Sequence, residues 1–240
     1  MALQGEERLE PREAIRRVMA GSDLTRDQTE ALFGQLMDGR LSEPMKAALL
    51  VSLAMKGEAV EEIAGAAAAM RQRARAVPHH RKDAVDTCGT GGDGKGSFNV
   101  STAAALVASA AGVPVAKHGN RAVSSRSGSA DVLTALGVEV DAPPRAAGRA
   151  LDEIGIAFLF APRLHPAMAQ VMGVRKELGV RTIFNLLGPL SHPGRVGHQV
   201  VGVSDPARVD LVAAALAAHG THRSWVVHGH DGLDEVTTTA

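Results

Sequence analysis

Between Asp86 and Ser97 the chain reads Asp86-Thr87-Cys88-Gly89-Thr90-Gly91-Gly92-Asp93-Gly94-Lys95-Gly96-Ser97, with five glycines in eight residues. The loop follows a short apolar run and precedes an Ala-rich stretch opening at Val100. In that setting free backbone N–H groups converge on an anion, phosphate above all. Two phosphate motifs nearly fit. Gly89, Gly91 and Gly94 satisfy G-x-G-x-x-G, but a dinucleotide site wants an acidic residue about 20 positions further on, and none lies between Asp93 and Asp131. Gly89, Gly94 and Lys95 approach a nucleotide-triphosphate loop, but Gly96 stands where Ser or Thr must reach Mg²⁺. Both readings fall. A plain turn is the bland alternative, yet polar glycine-rich loops at strand-to-helix junctions commonly carry function.

Asn99, Ser101 and Thr102 then set three small polar side chains around a helix start at Val100, where a single cap suffices. Further on comes Lys117-His118-Gly119-Asn120-Arg121-Ala122-Val123-Ser124-Ser125-Arg126-Ser127-Gly128-Ser129. From Gly89 to Gly128 the charged residues are Lys95, Lys117, Arg121 and Arg126 against Asp93 alone. The whole chain balances 26 Lys+Arg against 26 Asp+Glu, so this is a local anion site that the net charge conceals. It is too small for a nucleic-acid backbone and suits a compact polyphosphate, such as a diphosphate with Mg²⁺.

Composition narrows the class. With 45% apolar residues in 240 and no net charge, the chain can bury a core, which excludes disorder. Cys88 is the single cysteine, so there is no disulfide framework, and a reducing, cytoplasmic setting fits. Aromatics are 2%, which disfavours base stacking, and the neutral balance argues against nucleic acid. No apolar run approaches the roughly 18 residues of a membrane span, and the polar start is not a secretory signal. Ten histidines lack zinc spacing, and no Ser-His-Asp or Cys-His signature supplies a nucleophile. Cys88 reads as an apolar filler, and His79 and His80 as linker residues.

These residues need elements to position them. Residues 1–79 read as a helical domain after a frayed tail. Pro11 suits a first turn, Thr25 with Gln28 a capping box, and Ser42 an N-cap for a helix stopped by Gly57. An Ala-rich helix follows from about Val60 to Arg75. Pro78 marks a linker. Residues 80–240 read as an α/β domain with a mainly parallel sheet flanked by helices. Strands are expected at 85–88, 113–116, 156–160, 199–203 and 224–228, with helices between them. The segment 163–190 is less regular and is expected to leave the sheet.

The blocks GTGGD, NVST, KHGNRAVSSRSGSAD, VRKELGVRTIFNLLGPL and HGHDGLDE, in this order, resemble the anthranilate phosphoribosyltransferase family over nearly the whole chain. The resemblance implies a small helical domain beside a larger α/β domain, with part of 163–190 packed back on the helices. It implies homodimers through the helical domain. It also implies transfer of phosphoribosyl from phosphoribosyl pyrophosphate to the anthranilate amine, in tryptophan biosynthesis. By position, Gly89, Gly92, Asp93, Ser97, Asn99, Val100, Ser101, Thr102 and Lys117 would bind phosphoribosyl pyrophosphate. The stretch His118, Gly119, Asn120, Arg121, Ala122, Val123, Ser124 and Ser125, with Ser129, would close over it. Gly89, Asn120, His165 and Arg175 would meet anthranilate. Ser101, Asp234 and Glu235 would hold Mg²⁺, as two ions. Read without the resemblance, Asp234 and Glu235 are a solvated acidic pair, Arg175 a helix-surface arginine and His165 a structural histidine.

The pattern departs in places. Ser97 stands for the family's usual Thr, and Ser191-His192-Pro193 for Thr-Asn-Pro. Family chains continue past the Asp-Glu pair, so the α/β domain is expected to be incomplete, with an open sheet edge. Two other functions compete: a pyrimidine-nucleoside phosphorylase-like enzyme, which shares a similar glycine loop, and a non-catalytic truncated homologue.

Overall fold

The structure is a computed structural model that describes residues 9–92, 94–122 and 127–238. Asp93, Val123, Ser124, Ser125 and Arg126 lie outside the described residues. The first part of the chain forms α1 (Pro11–Met19), α2 (Arg26–Met37), α3 (Glu43–Lys56) and α4 (Val60–Gln72). Their ends follow from side-chain chemistry. At α2 the Thr25 hydroxyl accepts the Gln28 N–H while the Gln28 side chain accepts the Thr25 N–H, both at 3.2 Å. Ser42 occupies the N-cap of α3 without a side-chain cap bond, and Gly57 closes that helix at φ 84°. Buried Glu62 ties three pieces together. It accepts Leu24 N at 3.0 Å, Ala59 N at 2.8 Å and Lys56 Nζ at 2.9 Å.

Leu32, Phe33 and Leu36 of α2 pack with Leu49, Leu50 and Leu53 of α3 and with Ile63 of α4. The same apolar cluster takes in Val171, Val174, Ile183, Phe184, Leu187 and Leu190, and Phe33 meets Phe184 with ring centroids 5.8 Å apart. It continues into Val201, Val212 and Leu216, so one core joins the helices to the sheet layer.

The second part contains β1 (Val85–Asp86), α5 (Val100–Ala110), β2 (Val115–Gly119), α6 (Ser129–Ala135), α7 (Pro144–Ile154) and β3 (Ile156–Phe160). Next come α8 (Ala161–Leu164), α9 (Ala169–Leu178), α10 (Leu187–Leu190), β4 (His198–Gly202), α11 (Val209–Ala218) and β5 (Arg223–Val227). The five strands are all parallel in the order β3-β2-β1-β4-β5. Along β3, Ala157 and Leu159 face α7, while Phe158 and Phe160 back the α6 cluster of Ala130 and Leu133. β5 is one outer strand, and its Trp225 is exposed.

Only β3 keeps the expected bounds; β4 and β5 each begin and end one residue earlier than expected, and β1 and β2 differ more. β1 ends at Asp86 rather than Cys88. β2 begins at Val115 and runs through Gly119 rather than covering 113–116. Pro114 cannot donate to a ladder, and Val115 is the first residue of β2 in register, facing Val85 and Ile156. Polar Lys117 and His118 therefore stand inside the sheet, paired with Phe158 and Leu159.

The strand order sets the site. The chain passes from β1 to β2 and β3 on one side, then to β4 and β5 on the other. Loops leaving β1 and β4 diverge, which opens a crevice at the C-terminal ends of these strands, where ligands of parallel sheets bind.

Candidate active site

The glycine loop leaves β1 at that crevice. Thr90 N donates to Gly202 O at 2.8 Å, and Ser204 N donates to Thr90 Oγ1 at 3.2 Å, so the loop is fastened to the exit of β4. At Gly89 a Cβ would lie 2.9 Å from Gly202 O, closer than real contacts allow; the backbones meet there because the side chain is absent. Gly92 sits at φ 82°, with Arg181 against it.

Arg181 donates from Nη1 to Gly92 O at 3.4 Å and from Nη2 to Ser204 Oγ at 3.0 Å. It is the cation that sequence reasoning missed. It lies six residues after Arg175 in the VRKELGVRTIF block, and nothing local to that block shows that the chain folds back onto residue 92.

α5 opens beside the loop. Asn99 occupies its N-cap without a side-chain cap bond. The Thr102 hydroxyl donates to Asn99 Oδ1 at 2.6 Å, and Thr87 Oγ1 donates to Ser101 O at 3.0 Å. The three polar groups thus bond among themselves and to the sheet, and the positive helix end faces the loop. Val100 is the first helical residue, and Ser97 is exposed in the loop before it.

Lys117 points from β2 into the same place. Its Nζ lies 3.1 Å from Ser101 Oγ, 3.2 Å from Thr87 Oγ1 and 3.3 Å from Thr87 O. It is 4% exposed. Burial pushes its ammonium below the ordinary lysine range, while Asp86, Cys88 and Glu235 pull it back up. Glu235 therefore faces Lys117, although 118 residues separate them in the chain. Asp234 is brought to the β4 exit: a Cβ on Gly202 would lie 1.6 Å from Asp234 O. Lys95 reaches this last loop as well, with Nζ 2.8 Å from where a Cβ on Gly232 would stand.

Behind Lys117 lies a buried polar layer. Asp86 Oδ1 accepts His118 N at 3.0 Å. Burial raises the Asp86 carboxyl, and His192 and Lys117 oppose that. The His118 ring packs 5.1 Å from His165 and 5.7 Å from His192. His192 Nδ1 accepts Gly194 N at 3.1 Å, which makes Nε2 the donor to Ala116 O at 2.8 Å. His118 Nε2 and both ring nitrogens of His165 have no hydrogen-bond partner among the described residues. Burial, with the neighbouring rings, holds His118 well below the ordinary histidine range, and His165 down to about 4. So His118 belongs to the buried strand, with Nδ1 3.2 Å from Gly188 O, while the polypeptide beyond Gly119 forms the loop.

That loop has its own clamp. Asp131 Oδ2 accepts Ala122 N and Gly128 N, both at 2.9 Å, and Oδ1 accepts Arg121 Nη1 at 3.0 Å. These bonds hold the Asp131 carboxyl below the usual range. Asn120 O accepts Ser129 Oγ at 3.3 Å, and Asn120 Oδ1 accepts Arg121 N at 2.7 Å. Sequence reasoning gave Asp131 no role.

Arg175 stands apart. Its guanidinium lies 5.4 Å from the Phe184 ring centroid and 3.9 Å from Met172 Sδ, and it makes no hydrogen bond to the glycine loop or to β2 among the described residues. Burial lowers it. It is half-buried and without a carboxylate partner among the described residues, unlike an ordinary helix-surface arginine. Cys88 is half-buried with its thiol pushed up by burial, which removes it as a nucleophile. His80 pairs with Asp152 at 2.9 Å, and His79 Nε2 lies 2.7 Å from Gly194 O, so both fasten the linker.

The donor set suits a hard cation. Ser101, Asp234 and Glu235 offer oxygens only, and Mg²⁺ takes few protein ligands when phosphate oxygens complete its shell. No three His, Cys, Asp or Glu side chains among the described residues converge to hold a metal alone.

Comparisons with known proteins agree with this geometry. The model of the glycosyl transferase family, a/b domain, matches residues 81–240, and that of the same family's helical bundle domain matches residues 12–74. The chain is 56% identical over 227 residues to the anthranilate phosphoribosyltransferase of Anaeromyxobacter sp. (strain K), covering 95% of this chain and 67% of that one. Among solved structures it resembles anthranilate phosphoribosyltransferase from Thermus thermophilus, at TM-score 0.88 and 51% identity, over 93% of this chain and 67% of that one. It also resembles the Saccharomyces cerevisiae enzyme in complex with PRPP and Mg, at TM-score 0.88 and 29% identity, over 95% and 68%.

Proposed function

The chain belongs to the anthranilate phosphoribosyltransferase family, and from that premise we infer that it transfers the phosphoribosyl group of phosphoribosyl pyrophosphate (PRPP) to the amine of anthranilate, in tryptophan biosynthesis. One observation carries this reading at the site. The glycine loop, the start of α5, Lys117 and the Asp234-Glu235 loop meet at one crevice, held by Thr90–Gly202 and Lys117–Ser101 contacts.

The roles follow from placement. Gly89, Gly92, Asp93, Asn99, Ser101, Thr102 and Lys117 take the diphosphate and ribose. Asn120 to Ser125, with Ser129, close over them, while His118 and Gly119, expected with that stretch, belong to β2. Ser101, Asp234 and Glu235 would hold Mg²⁺, as two ions, and bound metal neutralises the departing diphosphate. In the reaction the bond from ribose C1 to diphosphate oxygen breaks and a bond to the anthranilate nitrogen forms. Positive charge develops on the ribose between these events, as in glycoside cleavage. The arylamine is neutral at pH 7 and loses its proton after attack. The protein therefore positions and screens charge rather than supplying a nucleophile. Arg175 pairs with the anthranilate carboxylate, a bidentate match that its present surroundings leave open. His165 and Asn120 line that side.

The helical unit of residues 1–79, joined by part of 163–190, forms one domain and carries a homodimer contact; residues 80–240 form the other. The chain works in the cytoplasm, and no helix among the described residues is long and apolar enough to cross a membrane.

Product analysis tests the reading. Anthranilate and PRPP with Mg²⁺ should yield N-(5-phosphoribosyl)anthranilate and one equivalent of diphosphate. Phosphorolysis of thymidine, with anthranilate untouched, would overturn it.

A further inference from the structure

β1 and β2 share one register pair, Val85 with Val115, and Val85 N donates to Pro114 O at 2.9 Å. In a parallel ladder the bonding residues of a strand recur at every second position. The next rung would therefore belong to Thr87: its N–H would go to Ala116 O, and its carbonyl would accept His118 N. Instead β1 ends at Asp86 and the main chain turns away into the glycine loop.

Two side chains take the places of that rung. Asp86 Oδ1 accepts His118 N at 3.0 Å, and His192 Nε2 donates to Ala116 O at 2.8 Å. They lie side by side, with Asp86 Oδ2 3.9 Å from His192 Nε2, and both are buried. Gly194 N donates to His192 Nδ1 at 3.1 Å, which fixes Nε2 as the donor. A buried carboxylate is a costly way to satisfy one N–H, and Asp86 Oδ2 has no hydrogen-bond partner among the described residues.

The replacement has a consequence at the crevice. β2 stays in register with β3 from Val115 through Gly119, while its other edge is held by Asp86 and His192. Thr87, out of the ladder, is free to turn to Lys117: its carbonyl lies 3.3 Å and its hydroxyl 3.2 Å from Nζ. The same hydroxyl donates to Ser101 O at 3.0 Å, which ties Lys117 to the start of α5.

We propose that Asp86 and His192 are positioning residues for PRPP binding: their side chains replace the Thr87 rung of the sheet and so release Thr87 to hold Lys117 at the crevice. This rests on the reading of the crevice as a PRPP site, and adds to it two buried residues behind Lys117.

Calorimetric titration of PRPP with Mg²⁺ into wild type, Asp86→Ser, Lys117→Met and the double variant tests this. Serine is too short to reach His118 N. Asp86→Ser should weaken binding about 10-fold in wild type but less than about twofold once Lys117 is gone, because residues acting through one contact are non-additive. Asp86→Asn keeps the Oδ1 acceptor and should stay within about threefold of wild type. His192→Leu removes the other half of the rung and carries the same expectation as Asp86→Ser, so it decides the matter where that variant does not fold. Equal losses with and without Lys117, or Asp86→Asn as damaging as Asp86→Ser, would overturn the proposal. The first would mean that the residue supports the fold alone, the second that its charge acts rather than its reach. Wild type that binds PRPP but forms no phosphoribosylanthranilate would overturn the transfer and leave this role standing. Wild type that does not bind PRPP would overturn both.

Discussion

Lys117 Nζ lies 3.1 Å from Ser101 Oγ, which binds the buried β2 cation to the first turn of α5 at the point where Glu235 also faces it. The ammonium is costly to bury, and its hydrogen bonds go to the neutral oxygens of Thr87 and Ser101, so the place is prepared for an anion brought by substrate. Lys117→Met keeps the apolar stem and removes the charge. PRPP binding by calorimetry should weaken about 10- to 100-fold, the worth of a charge-assisted hydrogen bond. The melting temperature should hold or rise. Unchanged affinity would remove Lys117 from the site.

Arg175 has an aromatic face beneath it and no acidic partner among the described residues. Arg175→Ala should raise KM for anthranilate by about 10-fold or more while leaving KM for PRPP within about twofold, if its proposed contact is to the acceptor carboxylate. Equal effects on both substrates would mean that Arg175 supports the fold rather than the acceptor.

Arg181 joins Gly92 O to Ser204 Oγ across the crevice. Arg181→Met frees the glycine loop and should raise KM for PRPP by about 3- to 10-fold with kcat reduced less. Added guanidinium ion should restore part of the loss. No change in either constant would reduce the contact to a surface pairing.

His165, buried with no partner among the described residues, stays neutral in the folded chain down to about pH 4, whereas an unfolded histidine titrates near 6.5. Between these values the unfolded state binds more protons. The stability owed to the neutral ring is therefore whole above about pH 6.5 and is lost as pH falls toward 4. His118 and His192 are shifted the same way, mainly by burial. His165→Leu should flatten the fall in melting temperature between pH 6.5 and 4.5, by an amount on the order of 1–3 kcal/mol in stability. An identical acid profile would show that the ring titrates with solvent.

Much of the fold is written locally. The Thr25–Gln28 box and the stop at Gly57 involve residues within a turn of each other, so spacing alone exposes them. The glycine loop and Lys117 are visible for the same reason: five glycines and a cation cluster are composition within one segment. What spacing cannot expose is pairing at long range. β2 runs past Val113–Ala116 because Lys117 and His118 find Thr87 and Asp86 about 30 residues back, which no hydropathy pattern over the strand itself conveys. Arg181 meets Gly92 from 89 residues away. The three-histidine layer draws on β2, the turn after α8 and the turn before β4. Roles for Arg175 and Asp234 came from resemblance, since each alone reads as solvated charge.

In the function proposed above, four separate segments make one PRPP and metal site that acts on anthranilate. The most direct measurement of this is the decay of anthranilate fluorescence with the purified chain, recorded with PRPP and Mg²⁺ together, with each omitted in turn, and with Asp234→Asn/Glu235→Gln. Decay that requires both components, and that in the double variant needs a higher Mg²⁺ concentration, is the predicted result. Steady fluorescence with both present, or a metal titration unaltered by the double variant, would contradict it.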